Sequence, residues 1–306
     1  MYNNGLSRFI CLSRERSRGY VIGKMIDLHL HSTYSDGTCS PTELIEMASA
    51  GGLMAISITD HDTAAGTGEA LQAGRKCDLR VIAGVELSVV FNDIYFHLLG
   101  YNFNWQDPRL ASGLCRLQKA RSRRNSQIIE KLQKMGIAVS EEELQEISGD
   151  GETGRPHIAR LLVQKNVVKT IDQAFARYLK KGACCYVDRF IYRVDEAIAM
   201  LHDSGGTAVL AHPSQISRSI DQLEVLLIQL KRMGLDGLET FYPTQNGKFH
   251  RKLRSLARLH ELYETGGSDY HGDIRAGTGL AGVSGHRVPA ELLNQMDRYP
   301  NLQPDT

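Results

Sequence analysis

Along the chain, short apolar runs alternate with longer stretches whose apolar residues recur every three or four positions. The first run, MIDLHL at 25–30, has the alternation of a strand. The next stretch, SPTELIEMASAGG, reads as a helix: Ser40 falls at the N-cap, Pro41 at the first helical position, Glu43 closes a capping box, and glycines follow. LMAISIT reads as a second strand, with a helix expected from near Ala64. LRVIAGVEL and DIYFHLLGY read as further strands. This order predicts parallel strands with helices packed outside them.

The pattern changes after Tyr101. Residues 108–135 read as one long charged helix, and EEELQEI, RPHIARLLVQK and TIDQAFARYLKK as further helices. The next strand-like run is ACCYV at 183–187. Alternation then resumes: VDEAIAMLHDSGG (helix), TAVLAHP (strand), 220–233 (helix), LDGLETFY (strand), 247 to about 262 (helix), and a short strand ending in GGSDYHG. The expected organisation is therefore a discontinuous β/α body over 25–101 and 190–285, interrupted by a helical insertion over 102–189. A β/α array split in this way suits a barrel carrying a lid. Residues 286–306 read as a C-terminal tail.

Composition narrows the classes without choosing among them. The 306 residues are 42% apolar with a formal net charge of +1, enough for a real core and too balanced for a generic polyanion binder. No apolar run reaches membrane-spanning length, so no membrane partner is expected. The six cysteines form no CxxC pair and read as free thiols of a reducing, cytoplasmic compartment. Residues 1–24 are rich in Arg and Ser and poor in acids, a composition shared with transit peptides. They lack an amphipathic period and read as a disordered tail or an over-extended start.

The chemistry collects at the predicted strand ends. His29 and His31 lie at i and i+2 on one strand, so both imidazoles face the same side. Asp36 follows in the exit loop, His61 ends the next strand inside TDHD, and Glu86 ends another in AGVEL. His97 lies in YFHLLGY, His212 in LAHP, and Asp269 and His271 repeat the i, i+2 spacing in GSDYH. Taken singly, each has an ordinary reading: His97 between Phe96 and Leu98 as a core histidine, Asp36 as a turn former. Taken together they share one topological location, the C-terminal strand ends where parallel β/α folds place their sites. Imidazole and carboxylate without thiolate suit Mn²⁺, Fe²⁺ or Zn²⁺, with Mn²⁺ preferred. Nine donors exceed the coordination of one ion, so two or three divalent ions are expected, with Glu86 as a bridge. Three carboxylates would leave such a cluster with surplus positive charge, which favours a phosphate dianion.

In order, HLHSTYSDG, TDHD, GVE, the histidine of YFHLLGY, AHP and GSDYHG resemble the motifs of the PHP (polymerase and histidinol phosphatase) superfamily. With GRPHIAR at 154–160, the chain resembles the branch of nucleoside 3′,5′-bisphosphate phosphatases and 5′→3′ exoribonucleases related to RNase AM. The resemblance runs from about Met25 to Gly285. It implies a distorted (β/α)₇ barrel with a two- or three-metal site at its C-terminal face. Carried over, His29 and His31 hold one metal, Asp36 and His61 another, and Glu86 bridges. His97 and His212 complete the remaining coordination, and Asp269 and His271 close the first site. Cys39 and Tyr270 depart from residues common at their positions, but neither removes a ligand.

The same resemblance gives Arg155 and His157 to the substrate phosphate. Unaided, they read as the start of a helix after Gly154, where a guanidinium fork and a helix N-terminus also suit a phosphate oxygen. The cluster Arg116, Lys119, Arg121, Arg123, Arg124 reads as a solvated helix face or as guidance for phosphates, with Arg124 and Asn125 turned to the site in the second case. The expected activity is metal-dependent hydrolysis of nucleotide phosphate esters through a metal-bound hydroxide, with Asp62 or His212 assisting the leaving group. Expected substrates are a nucleoside 3′,5′-bisphosphate or short 5′-phosphorylated RNA, with no obligate protein partner. The alternatives are a histidinol-phosphate or other small-molecule phosphatase, and a metal-binding accessory module without turnover.

Overall fold

The computed structural model describes residues 24–149, 151–272, 279–281 and 286–298. The expectations for residues 1–23 and 299–306 lie outside them. Strand β1 (Met25–Leu30) pairs in parallel with β2 (Leu53–Ile58), and β2 with the two-residue β3 (Arg80–Val81). Between β1 and β2 runs α1 (Pro41–Ala50), closed by its capping box: the Glu43 N–H donates to Ser40 Oγ at 3.2 Å and the Ser40 N–H to the Glu43 carboxylate at 2.7 Å. Helix α2 (Thr67–Cys77) begins three residues beyond the expected Ala64, with Gly66 at its N-cap.

The run LRVIAGVEL is not one strand. It breaks into β3 and β4 (Gly84–Phe91), and β4 folds straight back into β5 (Ile94–Tyr101). The two are antiparallel, from Gly84 opposite Tyr101 to Phe91 opposite Ile94. Asn92 and Asp93 make the turn with φ of 47° and 62°, the left-handed pair that a two-residue hairpin requires. A connection this short leaves no room for a crossover, so the expected all-parallel order fails here. Strand β6 (Tyr192–Arg193) flanks β4, while β7 (Thr207–Leu210) runs antiparallel to β5 and parallel to β8 (Gly237–Phe241). Strand β9 (Tyr263–Gly266) closes this mixed sheet, of order β6-β4-β5-β7-β8-β9. The two sheets meet at two seams made of single bridges, His61 with Glu86 and Leu30 with Tyr270. At these seams the Asp62 N–H donates to the Glu86 carbonyl, and the Asp269 N–H to the His29 carbonyl, each at 2.8 Å.

The stretch after Tyr101 is helical: α3 (Pro108–Lys134), α4 (Glu141–Ser148), α5 (Arg155–Gln164) and α6 (Ile171–Ala174), the last continuing as a π turn to Leu179. ACCYV forms turns instead of the expected strand. Gly182 sits at φ 85°, and the Cys185 N–H is spent on the Tyr178 carbonyl, so the run has no ladder to join. Helix α3 spans two apolar clusters. Its first half (Leu110, Leu114, Leu117) packs with Val194, Ile198 and Leu201, and its second half (Ile128, Leu132) with Ile158, Leu162 and Leu179. The remaining long helices, α7 (Val194–Asp203), α8 (Ile220–Arg232) and α9 (Gly247–Leu259), match expectation within a few residues.

Residues 286–298 are not a tail. The Ile26 N–H donates to the Val288 carbonyl at 3.0 Å, and Pro289 bridges Met25. Leu292, Leu293 and Met296, the last two in α10 (Leu293–Met296), are buried with Ile26, Leu28 and Tyr263. Their spacing is that of an amphipathic turn, a signal the sequence did carry.

Candidate metal centre

The seams bring the nine expected donors together. His29 lies in β1 and His31 just beyond it, Asp36 in the following loop, His61 after β2, His212 after β7, and Asp269 and His271 after β9. Glu86 is the third residue of β4. His97 is in the middle of β5, opposite Ser88, because the antiparallel hairpin turns that strand around. Three sets of donor atoms lie within 4.8 Å of one another: His29, His31, Glu86 and Asp269; His31, Asp36, His61 and His271; and His61, Glu86 and His97. Glu86 sits at the middle. One oxygen is 3.4, 3.1 and 3.1 Å from His29, His31 and His61, and the other is 2.8 and 2.9 Å from His97 and His212. His271 falls in the set around Asp36, at 3.4 Å through Nε2, while its Nδ1 lies 3.5 Å from Asp269. Asp269 has φ 53°, so regular strand alternation does not continue through it.

These atoms have the chemistry of cation ligands. His29 Nε2, His31 Nε2, His61 Nδ1 and Glu86 Oε2 are buried and make no hydrogen bond, although they crowd within 3.4 Å of neighbours. Leaving so many buried polar atoms unpaired is costly, and divalent ions among them would satisfy the lone pairs. The residues present therefore fit the ions expected of them.

A second layer of carboxylates holds the donors in place. Glu239, fully buried in β8, lies 2.9 Å from His29 Nδ1 through one oxygen and accepts the His212 N–H at 2.5 Å with the other. This carboxylate–histidine contact fixes which imidazole nitrogen faces inward. Asp60 accepts from the Ser32 N–H, Ser32 Oγ and Ser35 Oγ at 2.6–2.7 Å, pinning the loop that carries Asp36. Asp27 accepts the Ser268 and Ala281 N–H groups, and burial pushes its carboxyl up to about 6. Tyr242 donates to Asp269 Oδ2 at 2.7 Å. Burial works against a charged His29, but the carboxylates Glu239, Glu86 and Asp269 outweigh it and hold His29 well above the usual histidine range. Burial opposes a charged Glu86 as well, and the histidines around it, His97 first, hold it well below the usual carboxylate range.

Beside the donors opens a cavity of about 270 Å³ bounded by His97, His212, Arg124, Arg155, Arg189 and Tyr186, among others. Arg124 is buried in α3, with Nε on Asn125 and one terminal nitrogen lacking any partner. Arg155 donates to the Leu179 carbonyl at 3.2 Å and keeps the rest of its fork at the cavity. His157 is buried at the start of α5 and does not line the cavity. Its Nδ1 accepts the Gly154 N–H at 3.0 Å, and burial pulls its pKa down to about 4.

Asp62 has a different place from the one expected. Its Oδ1 accepts the Ser88 N–H at 2.9 Å, while Oδ2 binds Arg189 at 2.8 Å and also Arg121. Burial opposes its charge, but the two guanidinium groups hold it far below the usual range, ionised and locked. Such a group anchors arginines and has no proton to give a leaving group.

Arg189 and Glu239 were not among the expected site residues, and Arg121 was named only within the basic cluster of the long helix. Arg121 and Arg124 continue the apolar stripe Leu110, Leu114, Leu117 that ends in Ile128 and Leu132, so their inward direction was readable in the period. Glu239 and Arg189 carried no local signal, since their partners are remote in sequence.

A model of the PHP domain matches residues 27–184. A 5′–3′ exoribonuclease of Haemophilus influenzae is 36% identical over 248 residues, covering 81% of this chain and 90% of that protein. A 3′,5′-nucleoside bisphosphate phosphatase of Chromobacterium violaceum is 32% identical over 247 residues, covering 80% and 87%. A solved structure from Bifidobacterium adolescentis, described as a metal-dependent phosphoesterase, superposes with a TM-score of 0.80 at 29% identity over 92% of this chain and 98% of that one. The donor cluster at the strand ends, the extent of the model match and these likenesses lead to one assignment: the chain belongs to the PHP domain family.

Proposed function

We propose that the chain is a metal-dependent phosphoesterase acting on nucleotide phosphate esters, a nucleoside 3′,5′-bisphosphate or the 5′-phosphorylated end of a short RNA. The observation that carries the reading is the convergence of buried, unpaired His and Glu atoms, with Asp36 and Asp269 among them, beside a cavity lined by Arg124, Arg155 and Arg189. The names of the two curated relatives point to the same class of substrate. His29, His31, Asp36, His61, Glu86, His97, His212, Asp269 and His271 would hold two or three divalent ions, Mn²⁺ or else Fe²⁺ or Zn²⁺. Bound there, the ions would supply a nucleophile at neutral pH and polarise the phosphoryl oxygens.

The chain's own residues do the rest. Arg124 and Arg155 offer guanidinium donors to a phosphate in the cavity, and one buried terminal nitrogen of Arg124 has no hydrogen-bond partner of its own. Arg189 is shared between the cavity and Asp62, so Asp62 sets where that cation stands. A bisphosphate would place the reacting phosphate among the nine donors and the other on the arginines. His157 keeps the start of α5 fixed through its bond to Gly154 and so positions Arg155. We assign His212 to metal binding alone, because its Nε2 lies 2.9 Å from Glu86 and 3.2 Å from His97. We further propose that the two sheets and their bridged seams make one distorted barrel, with residues 102–189 as its helical insertion.

The test is a comparison of kcat/KM by the Mn²⁺-loaded protein on adenosine 3′,5′-bisphosphate, a short 5′-phosphorylated RNA and histidinol phosphate. One of the first two is expected to lead clearly. Preference for histidinol phosphate would replace the substrate class. No phosphate release from any of them would leave a metal-binding module.

A further inference from the structure

The cavity is lined by aromatic rings as well as charges. Tyr95 and Tyr186 line it together with Phe96, Ile191 and Ile216. Tyr95 is 50% exposed although it lines the cavity, and Tyr186 is half-buried. A cation lies over each ring, the Lys181 ammonium 4.9 Å from the centre of Tyr95 and the Arg155 guanidinium 5.9 Å from that of Tyr186, and a base stacking on a ring would share it with that cation. The Tyr186 hydroxyl is spent on Asp188 at 2.6 Å, which leaves its ring as the surface on offer.

Strand β5 relates these rings to the donor cluster. Tyr95 and His97 are two residues apart on a regular strand, so they point to the same face about 7 Å apart along it. His97 belongs to the donor cluster through Glu86, at 2.8 Å. The strand thus sets an aromatic ring beside the reacting phosphate's place at the reach of one ribose. The loop at 186–189 does the same from the other wall, with Tyr186 three residues before Arg189.

We propose that Tyr95 and Tyr186 form a nucleobase-stacking subsite, which holds the base of the nucleotide whose phosphates lie on the donor cluster and on Arg124 and Arg155. The proposal rests on the nucleotide reading above and sharpens it. Base–aromatic stacking is worth enough to dominate recognition of a small ligand, and it needs only a ring face. The cavity's volume, about 270 Å³, suits one base and its sugar better than a longer strand.

The experiment is equilibrium binding by titration calorimetry of adenosine 5′-monophosphate and of ribose 5-phosphate to the Mn²⁺-loaded protein. The two ligands differ only by the base. The nucleotide is expected to bind at least about tenfold more tightly. In the Tyr95→Ala/Tyr186→Ala variant that ratio should fall towards one, and in Tyr95→Phe/Tyr186→Phe it should be retained, which separates a lost ring from a disturbed fold. Equal binding of both ligands by the unaltered protein, or an unchanged ratio in the alanine variant, would overturn the subsite. Phosphate release from adenosine 3′,5′-bisphosphate is measured alongside. Its absence with the binding ratio intact would refute the hydrolytic reading and leave the stacking subsite standing.

Discussion

Glu86 is within 3.4 Å of five histidines, and nothing else in the cluster touches so many. Replacing it by glutamine keeps its shape and removes its charge. Glu86→Gln is expected to lose bound metal and phosphate release together, read by elemental analysis and a phosphate assay. Metal content equal to that of the unaltered protein would argue against a bridging role. Glu239 acts one step further out, through His29 and the His212 N–H. Glu239→Gln is expected to lower metal affinity or activity by about 10- to 100-fold, the cost typical of an outer partner of a histidine ligand. Gly267 is also committed to this spot. A Cβ there would lie 2.3 Å from the His29 Cβ and 2.4 Å from the His29 nitrogen. Gly267→Ala should cost about 1–3 kcal/mol by overpacking and lower metal occupancy, measured by denaturant unfolding and metal titration. The nine candidate donors were legible as residue types in strand-like runs, although Glu86 and His97 lie inside β4 and β5 and not at strand ends. Glu239 was not, because a single glutamate inside LETF looks like any strand residue until β8 is set beside β1.

At the scale of elements, α3 joins the two apolar clusters and carries Arg121 to Asp62 at the end of β2. Arg189 reaches the same carboxylate from the far end of the helical stretch. Removing one member of a buried ion network strands the others, so Asp62→Ala is expected to destabilise by about 3–5 kcal/mol and to weaken phosphate binding. A loss below about 1 kcal/mol on unfolding would mean that the guanidinium groups find other partners. Helix α7 is tied to the turn before β8 by His202, whose Nε2 meets Asp236 at 2.8 Å. That bond raises the His202 pKa above the ordinary value of about 6.5. Its contribution to stability is therefore fully present below about pH 6.5 and fades as pH rises through the raised value. The unfolding free energies of the unaltered protein and His202→Gln should differ more at about pH 5.5 than at about pH 9, by a small amount because both groups are partly exposed. The helices themselves were readable from caps and periods. The β4–β5 hairpin was misread because two apolar runs look alike whether the chain crosses over or turns back. Only Asn92 and Asp93, both at positive φ, mark the turn.

At the scale of the whole molecule, the donors come from both sheets, so bound metal ties the seams together. Removing it with a chelator should abolish phosphate release. Returning Mn²⁺ at about 100 times its Kd should stabilise the fold by about 2.7 kcal/mol per ion, seen as a Tm higher by several degrees in scanning calorimetry. A Tm indifferent to Mn²⁺ would place the ions, if bound at all, away from the seams. The C-terminal residues 286–298 belong to the same closure, since Val288 and Pro289 extend the edge at Met25. The sequence by itself determined which His, Asp and Glu residues to bring together, the order of the long helices and of most strands, and the interruption of the β/α pattern by helices, because periodicity, caps and residue chemistry are local. The tertiary structure decided the reversed direction of β5, the contact of His271 with Asp36, the capture of Asp62 by Arg121 and Arg189, and the outer support from Glu239. Each depends on groups far apart in the chain meeting at one place, and strand pairing and burial settle that only when the whole core has closed.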